Sequence, residues 1–202
     1  MMNLAFLASN NGSSFRAILE AIERGELAAR ARLLVSNRRT SAALAFAESR
    51  GIEALFLPTL SDPDDADARL AEALTRAQAD IVVLSGYLRR LGPVTLERFG
   101  GRILNIHPAL LPRHGGQGMY GRRVHEAVLA AGEAESGASV HLVDRDYDHG
   151  PVIAQAKAPV AADDTPESLE ARVMAMEPGL FIATLARIAA GEFPDIYRGA
   201  RP

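Results

Sequence analysis

Three short stretches of this 202-residue chain carry side chains whose types and spacing could do chemistry. The first is Asn105-Ile106-His107-Pro108, closing the apolar run Ile103–Ile106. Alternation along a strand puts Asn105 and His107 on one side and Ile106 on the other. A carboxamide N–H and an imidazolium N–H side by side can both donate to one developing oxyanion. An imidazole can also move a proton near neutral pH. The second stretch is Asp144-Arg145-Asp146-Tyr147-Asp148-His149-Gly150-Pro151. One of its carboxylates meeting His107 would favour the imidazolium and raise the histidine pKa. It could also accept a proton from an incoming amine. The third is Ser9-Asn10-Asn11-Gly12-Ser13-Ser14, which follows the apolar run Leu4–Ala8 and opens a helix. Gly12 permits close backbone approach, and the hydroxyls and free amides of Ser13 and Ser14 at a helix start form an anion site.

Each stretch has a plainer alternative. Asn105 and His107 are also what a hydrogen-bonded structural pair looks like. Asp, Gly and Pro are turn formers, so the 144–151 segment reads equally as a solvated turn. It is not an EF-hand, since the twelfth-position Glu is absent. The Ser9–Ser14 loop reads as a turn with a serine N-cap; it is neither a dinucleotide fingerprint nor a P-loop, lacking the glycine spacing of one and the lysine of the other. The five histidines show no metal-binding helix spacing, so a metal site is not expected.

These stretches must be held by elements that bring strand exits together. Apolar runs at Leu4–Ala8, Arg32–Val35, Ile52–Leu57, Ile81–Leu84, Ile103–Ile106 and Ser139–Val143 are short and mostly lack polar alternation, as strands covered on both faces do. Between them Ser14–Arg24, Thr40–Arg50, Asp65–Gln78 and Gly121–Ala131 are spaced as amphipathic helices. Val152–Val160 reads as a half-exposed strand. Thr165-Pro166-Glu167 starts a long helix, expected to be disturbed at Pro178-Gly179 and to end near Gly191. Strand–helix alternation predicts a doubly wound α/β fold: a mostly parallel twisted sheet with helices on both faces, in one domain. Its ligands bind beyond the carboxyl ends of the strands.

Composition narrows the function classes. The net charge is −3, which argues against non-specific nucleic-acid binding. Without cysteine there is no disulfide, thiolate metal site or cysteine nucleophile. The chain is 48% hydrophobic and 23% charged, which excludes a disordered or fibrous chain. The amino-terminal segment is a poor signal peptide or membrane span, so a cytoplasmic protein without membrane partners is expected.

Taken in order, the Ser9–Ser14 loop, Leu84-Ser85-Gly86-Tyr87-Leu88-Arg89-Arg90-Leu91, Asn105-Ile106-His107-Pro108-Ala109-Leu110-Leu111-Pro112 and Tyr147-Asp148-His149-Gly150-Pro151-Val152-Ile153 resemble the phosphoribosylglycinamide formyltransferase family, from about Asn3 to about Gly191. The resemblance implies a formyltransferase, Rossmann-like fold and formyl transfer from 10-formyltetrahydrofolate, as co-substrate, to the amine of 5-phosphoribosylglycinamide in purine biosynthesis. It implies catalytic roles for Asn105, His107 and Asp148. Asn11, Gly12, Ser13, Ser14 and Glu177 fall on its ribonucleotide site. Leu88, Arg89, Arg90 and Leu91, with Asn105 and the loop Asp144, Arg145, Asp146, Tyr147 and Asp148, fall on its folate pocket. On this view residues 1–100 are the phosphate-binding half and 101–202 the catalytic and folate-binding half. His141 lies near the site with no role assigned. The likeness implies small-molecule substrates, no metal, and a monomer or homodimer.

The chain departs from the family at Pro63, where a folate-contacting arginine is expected, and at Met174 and Pro178 beside Glu177. Its loop 113–121 is glycine-rich and reads as a mobile lid. Other readings are another folate formyltransferase, a formyltetrahydrofolate hydrolase, or a nucleotide-binding module without chemistry.

Overall fold

The structure is a computed structural model that describes residues 1–193. Its strands are β1 (Met2–Leu7), β2 (Ala29–Ser36), β3 (Glu53–Phe56), β4 (Ile81–Leu84), β5 (Ile103–His107), β6 (Glu135–Leu142) and β7 (Val152–Pro159). Its helices are α1 (Ser13–Glu23), α2 (Ala42–Ser49), α3 (Pro63–Arg76), α4 (Pro93–Phe99), α5 (Arg122–Ala130) and α6 (Pro166–Ala189).

All seven strands form one sheet in the order β3-β2-β1-β4-β5-β6-β7. β1 to β5 run parallel, whereas β6 pairs antiparallel with β5 and β7 antiparallel with β6. The apolar runs have no polar alternation because both faces are covered. Leu4 and Phe6 of β1, with Ile81 and Val83 of β4, pack against α1 and α6. Ala5 and Leu7, with Val82 and Leu84, pack on the other face against α3 and α4. A third cluster joins Val128 of α5 to Ala138, Ala158, Leu169 and Val173.

Three elements differ from the sequence expectation. Helix α4 was not expected. No side chain of its own N-cap bonds to it; instead Asp67 of α3 accepts the amides of Val94 and Thr95, at 2.7 and 3.1 Å. β6 begins at Glu135, well before Ser139, because its register with β7 runs back to the Glu135–Pro159 pair. α6 is continuous through Pro178. A proline removes one helical hydrogen bond, but Leu169 and Val173 before it and Phe181, Leu185 and Ile188 after it are all buried, so tertiary packing carries the helix across. Thr165 caps its start in a capping box with Ser168, as the sequence implied.

The strand order reverses beside β1, so the carboxyl ends of β1 and β4 open a crevice of the kind that binds ligands in such sheets. Three hydrogen bonds join the loops that leave these ends. The Ser9 amide donates to the Gly86 carbonyl (3.1 Å), the Leu88 amide to Ser9 Oγ (2.8 Å) and the Phe15 amide to Ser85 Oγ (3.0 Å).

Candidate active site

β5 delivers Asn105 and His107 to one face at its carboxyl end, and β6 runs back beside it. The antiparallel register sets Asn105 directly opposite His141 and His107 opposite Ser139. Asn105 Nδ2 lies 3.2 Å from His141 Nε2. The loop after β6 then turns Asp148 in between the two imidazoles. Its Oδ2 is 3.3 Å from His107 Nδ1, and its Oδ1 is 3.5 Å from His141 Nε2. The Gly116 amide donates to Asp148 Oδ2 at 3.1 Å. The Asp148 backbone is left-handed, at φ 56°.

The other ring nitrogens meet backbone carbonyls. His107 Nε2 lies 2.8 Å from the His114 carbonyl, and His141 Nδ1 lies 2.9 Å from the Leu142 carbonyl. A carbonyl oxygen only accepts, so each of these nitrogens carries a hydrogen. With the His107 hydrogen on Nε2, Nδ1 of the neutral ring faces the Asp148 carboxylate. A proton arriving at His107 Nδ1 turns this contact into a charge-assisted hydrogen bond. The cluster is built to take up one proton.

Electrostatics correct one sequence expectation. His107 is 3% exposed, and burial is the largest influence on it. Burial outweighs both Asp148 and the His114 carbonyl, so the His107 pKa is lowered rather than raised. Burial also raises the Asp148 pKa, but the His141 hydrogen bond, the nearness of His107 and the Gly116 amide together hold it below the usual carboxylate value.

An open cleft of about 480 Å³ leads to this cluster. Asn105, His141 and Asp148 line it together with Tyr87, Arg89, Arg90, Leu91, Asp144, Arg145, Asp146 and Tyr147. Of the residues expected in a folate pocket, Leu88 does not line it. The Leu88 side chain is largely exposed, and its amide is held by Ser9. Arg90 bridges the two walls: its guanidinium donates to the Arg145 carbonyl and lies 3.9 Å from Asp146. Arg89 Nε is buried and has no partner among the described residues. Residues on both sides of position 100 line the cleft.

The Ser9–Ser14 loop lies at the adjoining strand exit. Gly12, in the left-handed region at φ 62°, is the N-cap of α1, and no side chain caps that helix end. The serine N-cap reading is thereby replaced by a bare helix start. Among the described residues, the amides of Ser13 and Ser14 have no partner, while Phe15 donates to Ser85 and Arg16 to the Gly12 carbonyl. Asn11 and Ser13 are exposed and Ser14 is buried. Arg38 donates to Asn10 Oδ1 at 2.7 Å, which holds the loop from the β2–α2 side.

Glu177 stands on α6, partly buried and outside the cleft lining. Burial alone pushes its carboxyl up to about 7. Among the described residues no cluster of three or more His, Asp or Glu side chains is arranged to hold a metal ion. No helix among them is long and apolar enough to cross a membrane.

Sequence reasoning left three contributors without a role: His141, Tyr87 and the backbone of loop 113–116. His141 enters through cross-strand register, which an antiparallel pairing between distant segments decides.

A family model described as formyl transferase matches residues 2–185. The chain belongs to the formyl transferase family. It is 34% identical over 192 residues to the phosphoribosylglycinamide formyltransferase of Escherichia coli K12, covering 94% of this chain and 88% of that protein. It is 39% identical over 188 residues to the chloroplastic phosphoribosylglycinamide formyltransferase of Arabidopsis thaliana, covering 92% of this chain. The chain spans 64% and 58% of the lengths of the two plant relatives, from Arabidopsis thaliana and Vigna unguiculata. The solved phosphoribosylglycinamide formyltransferase of Coxiella burnetii superimposes with a TM-score of 0.86 at 36% identity, covering 94% of this chain and 88% of that one. A formyltetrahydrofolate deformylase of Pseudomonas syringae shares the formyl transferase fold, with a TM-score of 0.81 at 23% identity.

Proposed function

We propose that this formyl transferase moves the formyl group of 10-formyltetrahydrofolate to the primary amine of 5-phosphoribosylglycinamide, a step of purine biosynthesis. The observation that carries this reading is the proton-accepting cluster at the inner end of an open cleft. Asp148 is flanked there by two imidazoles whose outer nitrogens are already bonded to carbonyls. The adjoining bare helix start supports a phosphate at Asn11, Gly12, Ser13 and Ser14. Glu177 offers a carboxyl for the ribonucleotide hydroxyls. The folate lies along Arg89, Arg90, Leu91 and the Asp144–Asp148 loop, where Tyr87 and Tyr147 provide ring surfaces.

The amine attacks the formyl carbon, and the carbonyl oxygen becomes an oxyanion. One N–H of Asn105 faces His141, and the second turns to that oxygen. Asp148 takes the proton that the attacking nitrogen sheds, and His107 Nδ1 stores it. This uses a neutral His107, in keeping with its burial. The stored proton reaches the folate nitrogen as the bond between that nitrogen and the formyl carbon breaks. No residue becomes a covalent nucleophile, and no step uses a metal. The protein works in the cytoplasm on small molecules, as a monomer or homodimer.

The test follows formyl-folate absorbance with and without the ribonucleotide. Consumption that requires the ribonucleotide, with formylated ribonucleotide as product, supports the reading. Consumption without it indicates hydrolysis and refutes transfer. Binding with no consumption indicates a module without chemistry.

A further inference from the structure

Loop 113–121 is glycine-rich, yet its first four residues are fastened at both ends of the reacting pair. The His114 carbonyl occupies His107 Nε2 at 2.8 Å, and the Gly116 amide occupies Asp148 Oδ2 at 3.1 Å. Between them Gly115 lies so close to the pair that a Cβ there would come within 2.4 Å of Leu111 Cδ2 and 3.2 Å of Asp148 Cβ. His114 holds a left-handed backbone, at φ 56°. Such a conformation costs a non-glycine residue about 1 kcal/mol or more and persists only where surrounding contacts impose it. One remote side chain grips this segment. Glu133, in the turn between α5 and β6, receives Arg113 on Oε2 at 2.5 Å and His114 Nε2 on Oε1 at 3.2 Å. Its two oxygens thus hold two consecutive residues of the loop.

We propose that Glu133 is a positioning residue for formyl transfer. By holding Arg113 and His114 it fixes a backbone strap that takes the Nε2 hydrogen of His107 and anchors Asp148, leaving Nδ1 as the place for the mobile proton. Without the strap, neutral His107 is free to carry its hydrogen on Nδ1, where it blocks the nitrogen that must receive the proton from Asp148. The titratable groups near His107 are Asp148, His141 on β6, His114 on the strap and His125 on α5. Only His114 supplies a backbone acceptor. Glu133 is not among the residues that line the cleft.

This inference rests on the reading of His107 and Asp148 as the reacting pair, so the test includes a measurement independent of turnover. In protein with ¹⁵N-labelled histidine, the His107 ring shifts report which nitrogen carries the hydrogen. Wild type is expected to show the Nε2–H form. Glu133→Gln keeps the shape but loses the charge, and is expected to shift His107 toward the Nδ1–H form. Its kcat should fall about ten- to hundredfold, the cost of small displacements of reacting groups. KM for both substrates should stay within about twofold, as for a loss felt only in the transition state. The kcat–pH limb belonging to His107 should move to lower pH, because the His114 acceptor no longer supports the imidazolium. Arg113→Ala removes one anchor and leaves His114 on Glu133, so it should keep the wild-type tautomer and pH limb. A Glu133→Gln protein with an unchanged tautomer and pH profile, whatever its melting temperature, overturns the proposal. So does an Arg113→Ala protein in which the tautomer is lost although the His114–Glu133 contact survives. If Asp148→Asn is as active as wild type, the reading of the pair fails, while the ring shifts still judge the strap.

Discussion

Replacing Glu177 by glutamine should stabilise the unliganded protein, and only above mildly acid pH. Burial alone moves this carboxyl from its ordinary value of 4.5 to about 7. The folded protein therefore holds a proton that the unfolded chain releases between those two values. The sign follows from linkage: stability from this site is complete below about pH 4.5, declines up to about pH 7 and stays reduced above it. At about 1.4 kcal/mol for each tenfold change in proton affinity, ionised Glu177 costs the fold at most about 3.5 kcal/mol. A glutamine of the same shape has no charge to bury. For a domain of this size each kcal/mol moves the melting temperature by about 2–4 °C. Melting curves of both proteins from pH 4.5 to 8.5 should coincide at the acid end and separate above pH 7 by up to about 7–14 °C. The same variant should bind the ribonucleotide more weakly, because a hydrogen bond to a charged acceptor is worth about 1.5–3 kcal/mol and one to a neutral amide less. A melting difference that does not depend on pH would refute the reasoning about burial. A ribonucleotide KM equal to wild type would remove Glu177 from the binding site.

Other outcomes are expected from the same physics. Asp148→Asn should lower kcat at least about a hundredfold, the usual share of a positioned proton acceptor, with little change in either KM in steady-state assays. Gly12→Val should raise the ribonucleotide KM about tenfold or more, the loss of one good hydrogen bond. Gly12 has a left-handed backbone, and a Cβ there would meet Ala43 Cβ at 3.0 Å, so the helix start must shift. The folate KM is the internal control. Asp164 is held well below the usual carboxylate range by Arg172, Ser168 and the Ala161 amide, so it stabilises the fold above about pH 4 and the benefit is lost as the pH falls. Asp164→Asn should melt below wild type at pH 7, with the gap closing in acid. Asp67→Ala leaves the amides of Val94 and Thr95 without their acceptor and should cost about 1–3 kcal/mol, read as a lower melting temperature with unchanged folate KM.

Much of the fold was legible because it rests on local rules. Leu4–Leu7 and Ile81–Leu84 are uninterrupted apolar runs, and such runs signal strands covered on both faces. Thr165, Pro166 and Ser168 form a start signal that needs no tertiary partner. Asn105 and His107 share a face through alternation alone, so their neighbourhood was readable as well. Helix α4 was not, since its cap comes from Asp67 on another helix. Nor was continuity through Pro178, where distant packing outweighs a local breaker. The antiparallel return of β6 set His141 opposite Asn105, a relation between segments 36 positions apart.

The chain by itself determined which groups were available: an amide, imidazoles, carboxylates and a glycine at a helix start, each at the end of a recognisable strand. Tertiary structure alone decided the direction in which the His107 proton affinity moves. His107 sits beside a carboxylate, from which a raised pKa follows in water, yet the fold buries it so deeply that the lowering effect prevails. Desolvation depends on everything packed around a group, and no spacing along the chain encodes it.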